Sequence, residues 1–80
     1  MKSTYSAKYD AFREALKKIR IEQGLTQNVI AERLQVPQSF VSKYENGERR
    51  LDVVEFMEVA EALGKDPFAI LKAAKLLHSN

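Results

Sequence analysis

Apolar residues recur along this chain at offsets of three and four and nowhere alternate with period two, a pattern that predicts helices and no sheet. Tyr9, Phe12, Leu16 and Ile19 form the first stripe, on a helix from about Ala7 to Gln23. Ile30, Ala31 and Leu34 face inward from a second helix, and Phe40, Val41 and Tyr44 gather on one side of a third. Val53, Phe56, Met57, Ala60 and Leu63 supply the stripe of a fourth. A fifth, reaching about Leu77, offers Phe68, Ile70, Leu71, Ala73, Ala74, Leu76 and Leu77, more apolar arc than one core contact requires. Ile21 falls opposite the stripe of its own helix.

The breaks between stripes agree with this division. Glycine occurs only at 24, 47 and 64, and proline only at 37 and 67. Gly24 stops the first helix, and Thr26 can N-cap a second that runs through about Leu34. Pro37 sits in the first turn of the third, where a missing N–H costs nothing, and Gly47 ends it in the left-handed conformation that glycine tolerates. Asp52 with Glu55 three residues on forms a capping box at the start of the fourth, which Gly64 closes, and Asp66-Pro67 opens the fifth. Short connections between five helices predict an all-α, compact five-helix bundle.

Composition narrows the function. Eighty residues make one domain, near the lower limit at which a chain buries enough surface to fold alone. At 45% hydrophobic and 30% charged, the composition is globular rather than disordered. With no cysteine, a disulfide framework, a thiolate metal site and a cysteine nucleophile are all excluded. The apolar runs are too short to span a membrane, and the opening MKSTYSAKYD lacks the apolar region of a secretory signal, so a cytoplasmic protein is expected. Residues 1–50 carry 10 Lys/Arg against 6 Asp/Glu, whereas residues 51–80 carry 3 against 5. That asymmetry permits a basic binding side.

The third helix has an unusual outer face. Gln38, Ser39, Ser42, Lys43 and Asn46 are short, mostly uncharged and rich in two-way hydrogen bonders, where a plain solvated face favours Glu and Lys. Arg49 and Arg50 follow shortly after. Across the second and third helices, small Ala31 allows a close crossing, Val36 plugs the turn, and Val41 and Tyr44 pin the third helix onto the second. This is the arrangement of a helix-turn-helix, whose second element of the pair enters the DNA major groove.

With GLTQ, QSFVSKYENG and VAEALG in order and at the usual distances, the chain resembles the Cro and phage-repressor type of helix-turn-helix domain, also called the XRE family. The resemblance covers residues 9–77, leaving 1–8 as an expected flexible arm. It implies a lambda-repressor-like bundle that binds double-stranded DNA. It also implies roles: Gln38, Ser39, Ser42 and Lys43 at base edges, and Gln27, Asn46, Arg49 and Arg50 at the DNA backbone. Gln pairs well with adenine, Lys with guanine, and Ser with donors or acceptors alike. Arg20 and Glu45 match a structural ion pair tying the first helix to the third. Repressors of this type usually pair through their C-terminal region, so Ile70, Ala73, Ala74 and Leu77 are the expected homodimer surface. Two recognition helices about 34 Å apart would then read a near-palindromic site.

Four positions depart from the family pattern. Gln35 stands where glycine is usual, and a left-handed backbone there costs a non-glycine residue on the order of 1 kcal/mol. Pro37 replaces a frequent Ser or Thr cap, Val29 a typically acidic residue, and Lys65 an apolar one. An enzyme is not expected: the chain has no glycine-rich phosphate loop, no nucleophile–base pairing and no carboxylate cluster on one face. No cofactor or metal is expected either, His78 being the only histidine. The chief alternative to a repressor is an antitoxin-type or interaction module that binds a partner protein and uses DNA for autoregulation.

Overall fold

The computed structural model describes the backbone of residues 2–78 and the side chains of residues 7–78. Its elements are α1 (Lys2–Glu22), α2 (Gln27–Leu34), α3 (Gln38–Asn46), α4 (Val53–Leu63) and α5 (Pro67–Ala73), with no strand among the described residues. α1 starts before the expected Ala7. The expected arm over residues 1–8 lies largely outside the described side chains.

Each helix begins or ends by a local device legible in the residues. The Thr26 hydroxyl accepts from the Val29 N–H at 3.1 Å, and the Asp52–Glu55 capping box is formed in both directions. Asp66 accepts from the Phe68 N–H at 3.0 Å. All five helices close with a reversed hydrogen bond in which the residue after a left-handed one donates five positions back. The donors and acceptors of those bonds are Leu25 to Arg20, Val36 to Ala31, Glu48 to Lys43, Lys65 to Ala60 and Leu76 to Leu71. The left-handed residue is glycine in α1, α3 and α4, but Gln35 in α2 and Lys75 in α5, both near φ 60°. Gln35 therefore does take the backbone that its glycine-like position requires.

The core is one cluster fed by every helix: Phe12 and Leu16 from α1, Ile30 and Ala31 from α2, and Val41 and Tyr44 from α3. Phe56, Val59, Ala60 and Leu63 of α4 join it, with Ile70 and Ala74 behind them. Phe12 meets Phe56 edge-on with ring centroids 5.1 Å apart. That geometry suits the aromatic quadrupoles and locks α1 to α4.

Two expectations for the second half are corrected. The α4 stripe is rotated by roughly 70° from the one expected, at 100° per residue. Val59 and Ala62 are buried, whereas Val53 is 72% exposed and Met57 also faces out. The Asp52 cap sets Val53 at the rim of the bundle, and Phe56 one turn later is the first residue to reach the core. α5 ends at Ala73 because Lys75 turns left-handed, short of the expected Leu77. Ile70 is 0% exposed and Ala74 is also buried, so neither can face another subunit. Of the four residues expected at a dimer surface, only Ala73 and Leu77 are exposed.

Candidate nucleic-acid interface

α3 lies against α2 on one side and presents Gln38, Ser39, Lys43 and Asn46 to solvent on the other, with Ser42 half-buried between them. What aims this face is a buried charge. Glu45 is 1% exposed, and Arg20 meets it with two parallel bonds, Nε to Oε2 at 2.7 Å and Nη2 to Oε1 at 3.0 Å. Arg20 also donates to the Leu25 carbonyl at 2.8 Å, so one guanidinium ties α1, the turn before α2, and α3. The bond to Glu45 raises the Arg20 pKa above its ordinary value, which keeps the guanidinium charged. Burial pushes the neighbouring Tyr44 phenol up as well.

The network continues outward to the exposed face. Gln27 Nε2 donates to Glu45 Oε1 at 2.9 Å, and Gln38 Nε2 donates to Gln27 Oε1 at 2.6 Å. Each amide nitrogen keeps a second hydrogen, and Gln38 also keeps its own oxygen. A phosphate at Gln27 and a base edge at Gln38 are thus both chemically open. Asn46 Nδ2 lies 3.4 Å from the Ser42 hydroxyl, a long bond that leaves both groups usable.

The two arginines after α3 differ from each other. Arg50 stacks over the Tyr9 ring, 4.2 Å from its centroid, and the Tyr9 hydroxyl accepts from the Leu51 N–H at 2.9 Å. Arg49 makes a two-bond pair with Glu55 at 3.0 and 2.8 Å, and its guanidinium lies 4.4 Å over the Phe40 ring. That pairing, with the Asp52 N–H, holds the Glu55 carboxyl down at about 2. Phe40 is half-buried and edge-on to Tyr44, as a core-edge residue.

Two participants were not foreseen. Arg13 donates to the Glu45 backbone carbonyl at 2.7 Å, and its Nε would stand 2.9 Å from a Cβ added at Gly47. Its place seven residues before Arg20 puts both on one face of α1, which is the signal that could have found it. The sequence shows Glu55 only as a cap; its second task depends on Arg49 folding back across the loop. Among the described residues no group of three His, Cys, Asp or Glu could hold a metal ion.

A bundle of this shape, with a buried ion pair orienting a polar third helix beside two arginines, is a helix-turn-helix DNA-binding domain. The Helix-turn-helix family model matches residues 16–70, and the chain belongs to this family, in its XRE branch of DNA-binding transcriptional regulators rather than among enzymes. It is 37% identical over 54 residues to an uncharacterized HTH-type transcriptional regulator of Bacillus subtilis, YqaF, covering 68% of this chain and 71% of that protein. An XRE-family like protein from Pseudomonas syringae pv. tomato has the same fold, with TM-score 0.86 and 47% identity over 92% of this chain and 90% of the other. The clp gene regulator ClgR from Corynebacterium glutamicum matches with TM-score 0.79 and 26% identity, over 85% of this chain and 88% of its own. No described helix is long and apolar enough to cross a membrane.

Proposed function

We propose that this regulator is a cytoplasmic repressor that binds a near-palindromic operator as a homodimer, with α3 in the major groove. The observation that carries the reading is the chain of bonds from Arg20 through Glu45 and Gln27 to Gln38. It holds the outer face of α3 in one orientation relative to α1 and α2. Gln38, Ser39, Ser42 and Lys43 then read bases, while Gln27, Asn46 and Arg50 meet the sugar–phosphate backbone. The dimer reading rests on the other half of the molecule. Val53, Met57 and Phe68 are exposed on α4 and α5, and so are Ala73 and Leu77, so this half of the surface keeps an apolar surplus although Ile70 and Ala74 do not contribute. The same surface is where a partner protein would bind if repression were secondary.

The test is selection of bound sites from a random duplex library at about 150 mM salt, where non-specific attraction is weakened. Wild type and Gln38→Ala/Lys43→Ala are run side by side. An enriched near-palindrome that the double variant loses is the expected outcome. On that operator, Gln38→Ala or Lys43→Ala alone costs about 1–3 kcal/mol and relaxes preference at particular positions. Arg50→Ala weakens all sequences alike and reduces the salt slope by about one. Absence of any enriched sequence with wild type defeats the operator reading.

A further inference from the structure

We infer that Arg49 is a positioning residue that sets the tilt of α3 by joining Phe40 to Glu55, rather than a ligand of the DNA backbone. The inference rests on α3 being the reading helix. Its first support is that the start of α3 has no side-chain cap: Pro37 occupies the cap and makes no side-chain hydrogen bond, which leaves the Gln38–Gln27 bond and Phe40 to fasten this turn. Phe40, in that first turn, is adjacent to Ser39 and two residues from Gln38. The Arg49 guanidinium covers the Phe40 ring at 4.4 Å, a distance at which cation and ring attract.

The second support is where the other edge of that guanidinium goes. Nη1 and Nη2 donate to the two Glu55 oxygens at 3.0 and 2.8 Å, and Nη1 also reaches the Arg50 carbonyl at 3.1 Å. Glu55 is itself held: its Oε1 accepts from the Asp52 N–H at 3.0 Å, and its own N–H donates to Asp52 Oδ1 at 2.7 Å. One planar group therefore spans from the rigid first turn of α4 to the first turn of α3. Its charge is balanced by a carboxylate held in the fork, which leaves the pair little net attraction for a phosphate. A lysine could supply the charge but not the fork and the stacked plane together.

The two roles for Arg49 predict opposite signs for a change at Glu55. If Arg49 were a phosphate ligand, Glu55 would compete with the DNA for it, and Glu55→Gln would tighten binding to every duplex. If Arg49 is a brace, Glu55→Gln loosens α3 and erodes discrimination. Glutamine retains the capping bonds at this position, so the variant keeps its fold.

The experiment measures binding of the full chain to the selected operator and to a random duplex between 50 and 200 mM salt, for wild type, Arg49→Ala, Arg49→Lys and Glu55→Gln. Amide NMR spectra of the same proteins without DNA accompany it. Arg49→Ala and Glu55→Gln are each expected to cut the operator-to-random affinity ratio about 5- to 10-fold, and combining them adds little. Arg49→Lys recovers only part of the ratio. The salt slope stays at the wild-type value, and the amide shifts of residues 38–42 move in both variants. The inference is overturned if Arg49→Ala weakens both duplexes equally with a slope lower by about one, while Glu55→Gln tightens both. Unmoved amides at residues 38–42 overturn it as well. A wild type that binds both duplexes alike overturns the reading role of α3 itself, and this inference with it.

Discussion

The pairs α2–α3 and α4–α5 are built alike, from short helices with left-handed ends, all but α3 capped by a side chain at the start, yet they treat their surplus groups in opposite ways. In the first pair a carboxylate goes inside: Glu45 is buried, and Arg20, Gln27 and Gln38 line up on it one after another. In the second pair hydrocarbon stays outside: Phe68 is 62% exposed, and Val53 and Met57 stand out from α4. A buried ion pair with all its bonds made is directional and permits one arrangement of the elements that supply it. An exposed apolar face is non-directional and demands only to be covered. The half that carries the hydrogen-bonding outer face of α3 is the half held by directional bonds.

Four measurements test that contrast. Glu45→Ala removes the centre of the network and leaves a nearly buried Arg20 without its counter-charge, which costs about 3–5 kcal/mol. Urea unfolding reads this directly, and a loss below about 1 kcal/mol would mean that packing, not the ion pair, orients α3. Ile70→Ala opens a hole in the core and is expected to cost about 2–5 kcal/mol. By contrast Phe68→Ser stays within about 0.5 kcal/mol in the unfolding of the monomer. Its effect is expected in sedimentation instead, as loss of the proposed dimer. Equal costs for the two would erase the distinction between core and outer faces of α5.

The third concerns the turn between α2 and α3. Gln35→Gly relieves a left-handed side chain at φ 59° and should raise the unfolding free energy by up to about 1 kcal/mol. No gain would show that Gln35 makes compensating interactions in the folded state. The smallest effect is the pH dependence of the Arg49–Glu55 pair. The Glu55 pKa is lowered from 4.5 to about 2, so its stabilising contribution is complete above the ordinary value and is lost as the pH falls through that window. The difference in unfolding free energy between wild type and Glu55→Gln is therefore expected to be constant above about pH 5.5 and to shrink steadily toward pH 2. A difference that is the same at both ends would show that the ionised carboxylate contributes nothing.

Much of the fold is legible in single residues. Thr26, Asp52 and Asp66 start the helices that their side chains suggest, and Gly24, Gly47 and Gly64 end theirs in the left-handed backbone. The end of α5 at Lys75 was hidden, because lysine carries no signal for a left-handed position. At the candidate interface, the resemblance pointed to a pair of Arg20 with Glu45, which meet at 2.7 Å, but not to the engagement of Gln27 by both Glu45 and Gln38. Nor did it show that the two arginines following α3 have different partners. Adjacent identical residues look alike in a string; the path of the loop separates them.

What the residues determine alone is where most of the helices start and stop, the start of α1 and the end of α5 excepted, since caps and left-handed turns act within about six residues of themselves. They also determine that the domain is all-helical, that its third helix carries a hydrogen-bonding outer face, and that no cysteine chemistry is available. The rotation of α4, the inward turn of Ile70 and Ala74, and the pairing of Arg49 with Glu55 were decided only in three dimensions. The physical reason is the same in each case. α4 and α5 carry apolar arcs wider than the strip they can bury, and a charged side chain has several partners within reach. The packed neighbours settle which arc is covered and which partner is met.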